Sequence, residues 1–549
     1  MNPSNPATPA IVTEAGARPL SRAVLWLMCL TYLLPGQWSR EVWRPFDLGA
    51  FGYMAALAEG RAEWLNPTLA GLQTPDGALL PYWIGAWGIQ LLPFDPALAA
   101  RLPFLALLLA CLALLWYATF HLARTDAAQP VSFAFGGEAQ TIDYARALAD
   151  AALLALMATL GFLMAHEATP AIVQLLGTGL WIYALAAAPY RAGWAQTSSA
   201  SGLVVLALSG APFVALLLGL AGWVICHRSR FEGARRLRWG LALGIAVACA
   251  SAVVTHAWAW RIAQLNGSSL LQLIAWYVWP SGALALWTLW RWRRQWSRRH
   301  VAIPLSLSFV ALLSCLAMGG QERALLIGLP GLAILAAFAI PTLNRSLSAM
   351  VDWFSLFLFS ATALFIWAYY LALHTGWPPR LMANVNRLAP GFVMPFDSIS
   401  LVLALAGTLA WLALVRWRTS RQRAALWRSL ALPAGGVALM WLLMMTLWRP
   451  ALDHGMGQSD LLRQLRSHLA VSASDCIAAP HQSLALLATL EAQGGWTTHG
   501  TQTLDSTSCH WAVVRLAVGQ NPVLPNGWTA VQSLQRSSDR GSRYWILKR

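Results

Sequence analysis

Long apolar runs separated by short polar stretches cover most of the chain. A helix needs about 20 apolar residues to cross the hydrocarbon core of a bilayer, and runs near that length recur between residues 22 and 448. We therefore predict an all-α polytopic membrane protein with about thirteen transmembrane helices. The predicted spans are 22–36, 98–122, 147–164, 171–188, two short helices within 201–225, one ending near 258, 271–290, two that flank 319–323, 353–373, 399–415 and 430–448.

Two stretches interrupt this pattern. The run 201–225 contains SGAP at 209–212, and glycine next to proline favours a turn, so we predict two short spans there. The stretch 37–97 carries charges, prolines and glycines that a lipid-facing span would not tolerate, which predicts an ordered polar loop at one membrane surface. Within this loop, the apolar segment 82–92 is too short to cross, and its aromatic residues favour a helix that lies in the interface.

The C-terminal region, 449–549, has the composition of a soluble domain. Helical periodicity occurs at 460–469 and 483–492, and strand patterns occur at 476–479, 511–517, 528–532 and 544–547. The predicted organisation is a tail at 1–21, a transmembrane domain at 22–448 with the polar loop 37–97, and a small α/β domain at 449–549.

Composition and charge indicate the class of protein and its orientation in the membrane. Hydrophobic residues make up 58% of the chain, charged residues 11%, and mean hydropathy is +0.53, values typical of a membrane protein. The net charge of +16 does not predict nucleic-acid binding, because the arginines lie in short blocks between apolar runs. The loops 228–238, 291–299 and 416–428 carry five arginines each. They predict a bacterial inner-membrane protein with a cytoplasmic N-terminus, so that loop 37–97 and the C-terminal domain face the periplasm.

The cysteines divide into two groups. Cys29, Cys111, Cys226, Cys249 and Cys315 lie in or next to apolar runs, where cysteine is most simply a core residue. Cys476 and Cys509 both lie in the C-terminal domain. A disulfide between them would suit an oxidising compartment such as the periplasm, and two free thiols are the alternative.

Candidate chemistry is limited to acids and arginines at the predicted periplasmic surface. The sequence has no CxxC or HExxH metal motif, no P-loop, no GxSxG and no GxGxxG. Asp47 and Asp76 lie in the polar loop, Glu167 in HEATP at 166–170, and Glu322 and Arg323 in GQER at 320–323. Each could be a solvated loop charge, but Asp47 is flanked by apolar residues and glycines, where an unused acid is costly.

The segment DLGAFGYMAALAEGRAEWLNPTLAGLQTPDGALLPYW at 47–83 carries a resemblance. It resembles the first periplasmic loop of GT-C membrane glycosyltransferases of the lipid A aminoarabinose transferase and protein O-mannosyltransferase type. In the family, this loop begins with an acid and a tyrosine. These are followed by W-x-x-P, then a glycine, and then E-K-P-P-L-x-Y-W. The matching residues here are Trp64, Pro67, Gly71, Tyr82 and Trp83. Arg101 lies in a similar R-L-P, and Arg323 lies in a segment similar to the family's K-x-R-Y-L-L-P.

The resemblance implies transfer of a sugar from a polyprenyl-phosphate donor to a periplasmic lipid or protein acceptor, with inversion at the anomeric carbon. Such chemistry needs a base for the acceptor and positive charge on the leaving phosphate. We assign the base to Asp47 and a second carboxylate to Asp76. A divalent metal, if one is bound, would use these two acids. Substrate contacts are expected from Trp64, Tyr82, Trp83, Glu167 and Glu322. The phosphate contact is expected from an arginine, for which Arg44, Arg101, Arg261 and Arg323 are the alternatives.

Three departures from the family pattern leave two alternative functions open. Gly77 stands where the motif has its lysine, Ala78 and Leu79 replace its prolines, and Ala171 replaces an acid in the second periplasmic loop. A non-catalytic assembly or sensor protein would keep the periplasmic domain while losing such residues. A transporter or flippase would also have many spans, but it would show ionisable residues within the spans or paired broken helices.

Overall fold

The computed structural model describes residues 8–133, 137–162, 164–229, 231, 233–258, 267–419, 425–470, 475–536 and 539–549. The fold is mainly helical, as predicted. Its helices are α1 (Arg22–Leu33), α2 (Phe46–Ala58), α3 (Leu80–Leu91), α4 (Pro96–Ala123), α5 (Thr141–Leu160), α6 (Pro170–Ala187), α7 (Ala192–Leu208), α8 (Pro212–Arg228), α9 (Ala234–Val254), α10 (Gly267–Tyr277), α11 (Ser281–Arg291), α12 (Arg299–Ala317), α13 (Glu322–Leu326), α14 (Leu329–Ala339), α15 (Arg345–Thr375), α16 (Pro379–Leu388), α17 (Ser398–Thr419), α18 (Arg428–Leu447), α19 (Arg449–Met456), α20 (Ser459–His468) and α21 (Leu484–Ala488).

The helices vary in their capacity to cross a membrane. In the described part of the chain, seven are long and apolar enough to do so, and the bent pair α10–α11 would make an eighth. These seven are α4, α6, α9, α12, α15, α17 and α18. Shorter apolar helices, among them α1 and α8, occupy other predicted spans. The protein is therefore a multi-pass membrane protein, while the number thirteen stays a prediction.

Two predicted features of the apolar region have different outcomes. The break at 209–212 is confirmed, because α7 ends at Leu208, Gly210 has a φ of +83°, and α8 begins with Pro212. The span predicted at 271–290 is occupied by two helices, α10 and α11, and not by one continuous helix. The two helices meet at an angle of 89°. Pro280 precedes α11, and its ring cannot continue the preceding helix.

The stretch 37–97 is more ordered than a loop. It contains the buried helix α2, a hairpin of β1 (Thr68–Leu69) and β2 (Leu72–Gln73), and α3, which confirms the helix predicted at 82–92. A Cβ at Gly52 of α2 would lie 2.8 Å from the Cβ of Ala488. The glycine therefore permits close contact between α2 and α21 of the C-terminal domain.

The C-terminal region is a small α/β domain, as predicted. Its five strands are β3 (Ile477–Ala478), β4 (Thr498–His499), β5 (Trp511–Ala517), β6 (Thr529–Leu534) and β7 (Ser542–Lys548), in the order β4-β3-β5-β7-β6. Strand β3 runs parallel to both neighbours, and the other pairs are antiparallel. The disulfide Cys476–Cys509 is present, with Cα atoms 4.9 Å apart. The two-residue strand β4 was not predicted, because it is too short to show alternation.

The C-terminal domain packs on the polar stretch. Glu491 accepts a hydrogen bond from the Ala70 backbone N–H at 2.8 Å and forms a salt bridge with Arg61. The Gly500 N–H donates to the Ala70 carbonyl at 2.8 Å. At another part of the molecule, the Trp427 indole N–H donates to the Arg18 carbonyl at 2.9 Å. Loop 37–97 and the C-terminal domain therefore share one face, and the N-terminal tail packs with Leu426 and Trp427 at the end of an arginine-rich loop.

Candidate functional site

Asp47 lies in the first turn of α2 and is 1% exposed. Its Oδ1 atom accepts a hydrogen bond from the Ala168 backbone N–H at 2.9 Å. Its Oδ2 atom lies 3.7 Å from the Arg40 guanidinium and has no hydrogen-bond partner within the described residues. A buried carboxylate oxygen without a hydrogen bond is costly, and such atoms occur at functional sites. Asp47 therefore presents one anchored oxygen and one oxygen that is open to a further donor.

Two buried arginines fix the segment before α2. Arg40 donates to the Gly36 carbonyl at 3.1 Å and to the His166 carbonyl at 2.9 Å. Arg101 of α4 donates to the carbonyls of Arg40 and Glu41, each at 2.8 Å. One nitrogen of each guanidinium, Nη1 of Arg40 and Nε of Arg101, is buried without a hydrogen bond in the described structure. Arg101 thus holds the backbone that carries Arg40, which in turn faces Asp47.

Glu167 and Arg323 form a salt bridge next to Asp47. Arg323 also donates to the Thr169 hydroxyl at 3.1 Å, and its guanidinium lies 4.0 Å from the centre of the Phe46 ring. Burial raises the pKa of Glu167, and the Arg323 charge offsets part of that rise. The Arg323 side chain is 17% exposed, whereas that of Arg40 is fully buried. Arg323 is therefore the more accessible cation beside Asp47.

Asp76 packs at a different place. A Cβ at Gly210 would lie 2.8 Å from the Asp76 carbonyl oxygen and 3.2 Å from its Cγ, so Asp76 sits on the break between α7 and α8. Burial, together with the nearby Asp76 carboxylate, raises the pKa of Tyr53. Tyr53 donates to the Gln73 carbonyl at 2.9 Å and packs against Tyr82, with ring centroids 5.0 Å apart. Asp76 and Tyr82 are thus connected to α2 through Tyr53.

The remaining predicted residues lie at the edges of this site. Arg44 donates to the Gly455 carbonyl at 3.1 Å and lies 3.9 Å from Asp539, so it contacts the C-terminal domain. The Trp83 indole N–H donates to the Trp64 carbonyl at 2.7 Å. Glu322 is exposed at the start of α13. Residue 261, an arginine, lies outside the described residues.

Three contributors to the site were not predicted. Arg40 lies seven positions before Asp47, and in the sequence it is only one of several charges near that residue. The neutral ring of His166 stacks on Trp441 at 4.3 Å, and burial lowers the pKa of His166 to about 4. Asp453 of α19 accepts hydrogen bonds from the Trp43 indole at 2.8 Å and the Glu41 N–H at 3.1 Å. No sequence spacing could have indicated Asp453, because it follows Trp43 by 410 positions.

Within the described residues, no group of three metal ligands includes Asp47, and the cleft beside Glu167 is small. Among the described residues, three possible metal ligands lie within 4.8 Å of one another in the C-terminal domain: Cys476, His499 and Cys509. Two of them, Cys476 and Cys509, are joined in the disulfide. A cleft of about 10 Å³ beside Glu167 is lined by residues that include Arg101, Phe104 and His166. That volume holds about one water molecule, so a phosphosugar would need side chains to move.

An apolar helical bundle with acids and arginines buried at one surface, next to a small α/β domain, defines a polytopic membrane protein with a site at the membrane boundary. Two solved structures of ArnT from Cupriavidus metallidurans share this fold. The structure bound to undecaprenyl phosphate matches with a TM-score of 0.60 and 14% identity over 95% of this chain and 96% of that chain. The apo structure matches with a TM-score of 0.59 and 16% identity over the same shares, 95% and 96%. No protein-family model and no curated protein matches the sequence. The fold is therefore ArnT-like, in a chain of highly divergent sequence.

Proposed function

We propose that the protein is an integral glycosyltransferase of the bacterial inner membrane that uses a polyprenyl-phosphate-linked sugar donor. The observation that carries the proposal is the ArnT-like fold over 95% of the chain, because one of the matching ArnT structures holds undecaprenyl phosphate. The acceptor is a lipid A, another glycolipid or a protein at the periplasmic face. In this proposal loop 37–97 and the C-terminal domain face the periplasm, as the arginine-rich loops predict.

Asp47 is proposed as the general base. Its Oδ1 atom is held by Ala168, which leaves Oδ2 to accept a proton from the acceptor hydroxyl. The acceptor oxygen then bonds to the anomeric carbon while the bond from that carbon to the phosphate oxygen breaks, which inverts the configuration. The electron pair of the broken bond leaves with the polyprenyl phosphate. A positioned base contributes about 10²- to 10⁴-fold to the rate of such a step.

Arg323 is proposed as the residue that binds the donor phosphate. It is partly exposed, it lies on the Phe46 ring next to Asp47, and its Nε atom is buried without a hydrogen bond within the described residues. A guanidinium binds two phosphate oxygens at once and stabilises the charge that develops on the leaving group. Glu167 neutralises Arg323 when no phosphate is present and would exchange with the phosphate on donor binding.

The structure gives a physical reason why an arginine, and not the family's lysine, would serve here. Gly77 stands at the position of that lysine and has a φ of +61°. A Cβ there would lie 2.9 Å from the Cα of Ala257. A side chain at residue 77 would therefore collide with the backbone and strain a left-handed conformation. In this proposal phosphate binding uses other cations, and among the described residues Arg323 and Arg40 lie beside Asp47.

The test compares cell envelopes. Lipid A, other glycolipids and periplasmic proteins from a deletion strain are analysed by mass spectrometry, alongside strains that carry the wild-type gene or Asp47→Asn. We expect one glycan mass to disappear on deletion, to return with wild type and to stay absent with Asp47→Asn. Identical glycan profiles in all three strains would contradict the proposal. A glycan restored equally by Asp47→Asn would favour a non-catalytic role in glycan assembly or transport.

A further inference from the structure

A second cavity lies near the N-terminus of α18, among α15, α17 and α18. Its volume is about 700 Å³, and its lining includes Arg345, Asp352, Arg418 and Arg428. Helix α18 begins at this cavity and ends at Leu447, next to α19, and its Trp441 stacks on His166 beside the Asp47 site. A helix of its 20 residues is about 30 Å long, which is about the thickness of a bilayer core. The cavity is therefore on the opposite side of the membrane from Asp47.

Among the described residues that line the cavity, arginines outnumber acids. Arg418 forms a salt bridge with Asp352. Arg345 and Arg428 form no salt bridge with another described residue. Arg428 is 7% exposed, and its guanidinium lies 4.3 Å from the centre of the Trp417 ring. Ser348 and Ser429, whose hydroxyls lie 2.8 Å apart, add polar atoms to the lining. Two arginines beside hydroxyl groups are a suitable environment for a phosphodiester.

The surroundings of the cavity are apolar and open to lipid. Trp353, Leu356 and Leu432 line it, and Trp353 is 56% exposed. Helices α15 and α17 are the least enclosed of the seven spans, with 22% and 11% of their apolar windows buried. An acyl chain can therefore lie along these helices while a head group enters the cavity. A free phosphate ion would gain nothing from the apolar wall.

From this arrangement we infer that the cavity binds the phosphate head group of an anionic phospholipid from the leaflet opposite the Asp47 site. Arg345 and Arg428 contact the phosphate, and the acyl chains lie against Trp353 and Leu356. The site is separate from the proposed transferase centre, and its test does not depend on transferase activity. A positive charge near a lipid head group typically improves binding about fivefold.

The experiment measures bound lipid by native mass spectrometry of the purified full-length protein. Phosphatidylglycerol and phosphatidylcholine with identical acyl chains are added in turn. We expect preferential retention of phosphatidylglycerol by wild type, and a loss of about fivefold per arginine in the double variant Arg345→Gln with Arg428→Gln. The control is Arg416→Gln, an exposed arginine on α17 that does not line the cavity. It should bind phosphatidylglycerol like wild type.

Arg428 is buried, so its replacement can cause misfolding. A second variant therefore tests the inference while Arg428 stays in place. Ala349 is exposed and lines the cavity, so Ala349→Trp should fill the space without changing its charge. We expect it to reduce phosphatidylglycerol retention in a monodisperse protein. Equal retention of the two lipids by wild type would overturn the inference, as would undiminished retention by Ala349→Trp. Displacement of phosphatidylglycerol by an equal concentration of inorganic phosphate would also overturn it, since the ligand would then be a free anion.

Discussion

Asp47 accepts a hydrogen bond from the Ala168 backbone N–H, with 2.9 Å between the two heavy atoms, across a sequence separation of 121 residues. The bond joins the start of α2 to the segment between α5 and α6. It also brings Asp47 close to Glu167, which holds Arg323. This contact thus brings together Asp47 of the polar stretch, Glu167 of HEATP and Arg323 of GQER.

Replacement of Arg323 tests its proposed role at the donor phosphate. Arg323→Lys keeps the charge but loses the planar fork that binds two phosphate oxygens. A charge-assisted hydrogen bond contributes about 1.5–3 kcal/mol, so we expect kcat/KM for the donor to fall by about tenfold or more. The control is Arg463→Lys, whose side chain is 79% exposed. Equal donor use by Arg323→Lys and wild type would remove Arg323 from phosphate binding.

Gly210 determines where Asp76 sits. A methyl group there would meet the Asp76 carbonyl at 2.8 Å, and the residue has a φ of +83°. Gly376 has a similar φ of +74° with nothing within 4 Å, so Gly376→Ala introduces backbone strain alone. We expect Gly210→Ala to destabilise the protein by about 1–3 kcal/mol more than Gly376→Ala, through steric overlap. Thermal unfolding of the two variants in one detergent is the measurement, and equal losses of stability would show that Asp76 moves freely.

The part of the fold that the sequence predicts is the part that local patterns determine. Apolar runs identify α4, α15 and α17, since a span must be long and apolar wherever it packs. Alternation identifies β5, which is Trp511–Ala517 as expected. The polar stretch is harder to interpret, because its glycines and charges are typical of a loop. Helix α2 is buried there in part by distant α21, a contact that no local pattern records.

The sequence likewise predicts some residues of the candidate site and misses others. Asp47 and Arg323 stand out because acids and arginines near apolar segments are costly without a role. Arg101 was expected at the phosphate, yet two of its nitrogens bond to the carbonyls of Arg40 and Glu41. Backbone carbonyls do not appear in a residue pattern, so this bracing could not be predicted. The same applies to Asp453, which reaches Trp43 from the far end of the chain.

The disulfide Cys476–Cys509 closes a loop with a sequence separation of 33. Chain-entropy arguments give such a crosslink about 3–4 kcal/mol of stability. Thiol labelling of unfolded, unreduced protein should modify only the other cysteines, which are Cys29, Cys111, Cys226, Cys249 and Cys315. Prior reduction should add label at both remaining positions. Label at Cys476 and Cys509 without reductant would contradict the crosslink and weaken the periplasmic placement.

The membrane orientation is tested by reporter fusions. Alkaline phosphatase is active only in the oxidising periplasm, so a fusion after Arg549 should be active, and a green fluorescent protein fusion at the same point should be dark. The expectation rests on the five arginines in each of the loops 228–238, 291–299 and 416–428. An inactive phosphatase with a bright fluorescent fusion would reverse the orientation and place the Asp47 site in the cytoplasm.

Sugar transfer by purified Asp47→Asn measures whether Asp47 acts as the general base. Asparagine keeps the size of the side chain and the Oδ1 contact with Ala168 but cannot accept the acceptor proton. The control is Asp95→Asn, an exposed acid that caps α4, where asparagine caps equally well. With a polyprenyl-phosphate sugar donor and all variants monodisperse, we predict a loss of about 10²- to 10⁴-fold for Asp47→Asn. Asp76→Asn should lose less, and Asp95→Asn should match wild type. Turnover by Asp47→Asn within about threefold of wild type, well below the range for a general base, would contradict the account.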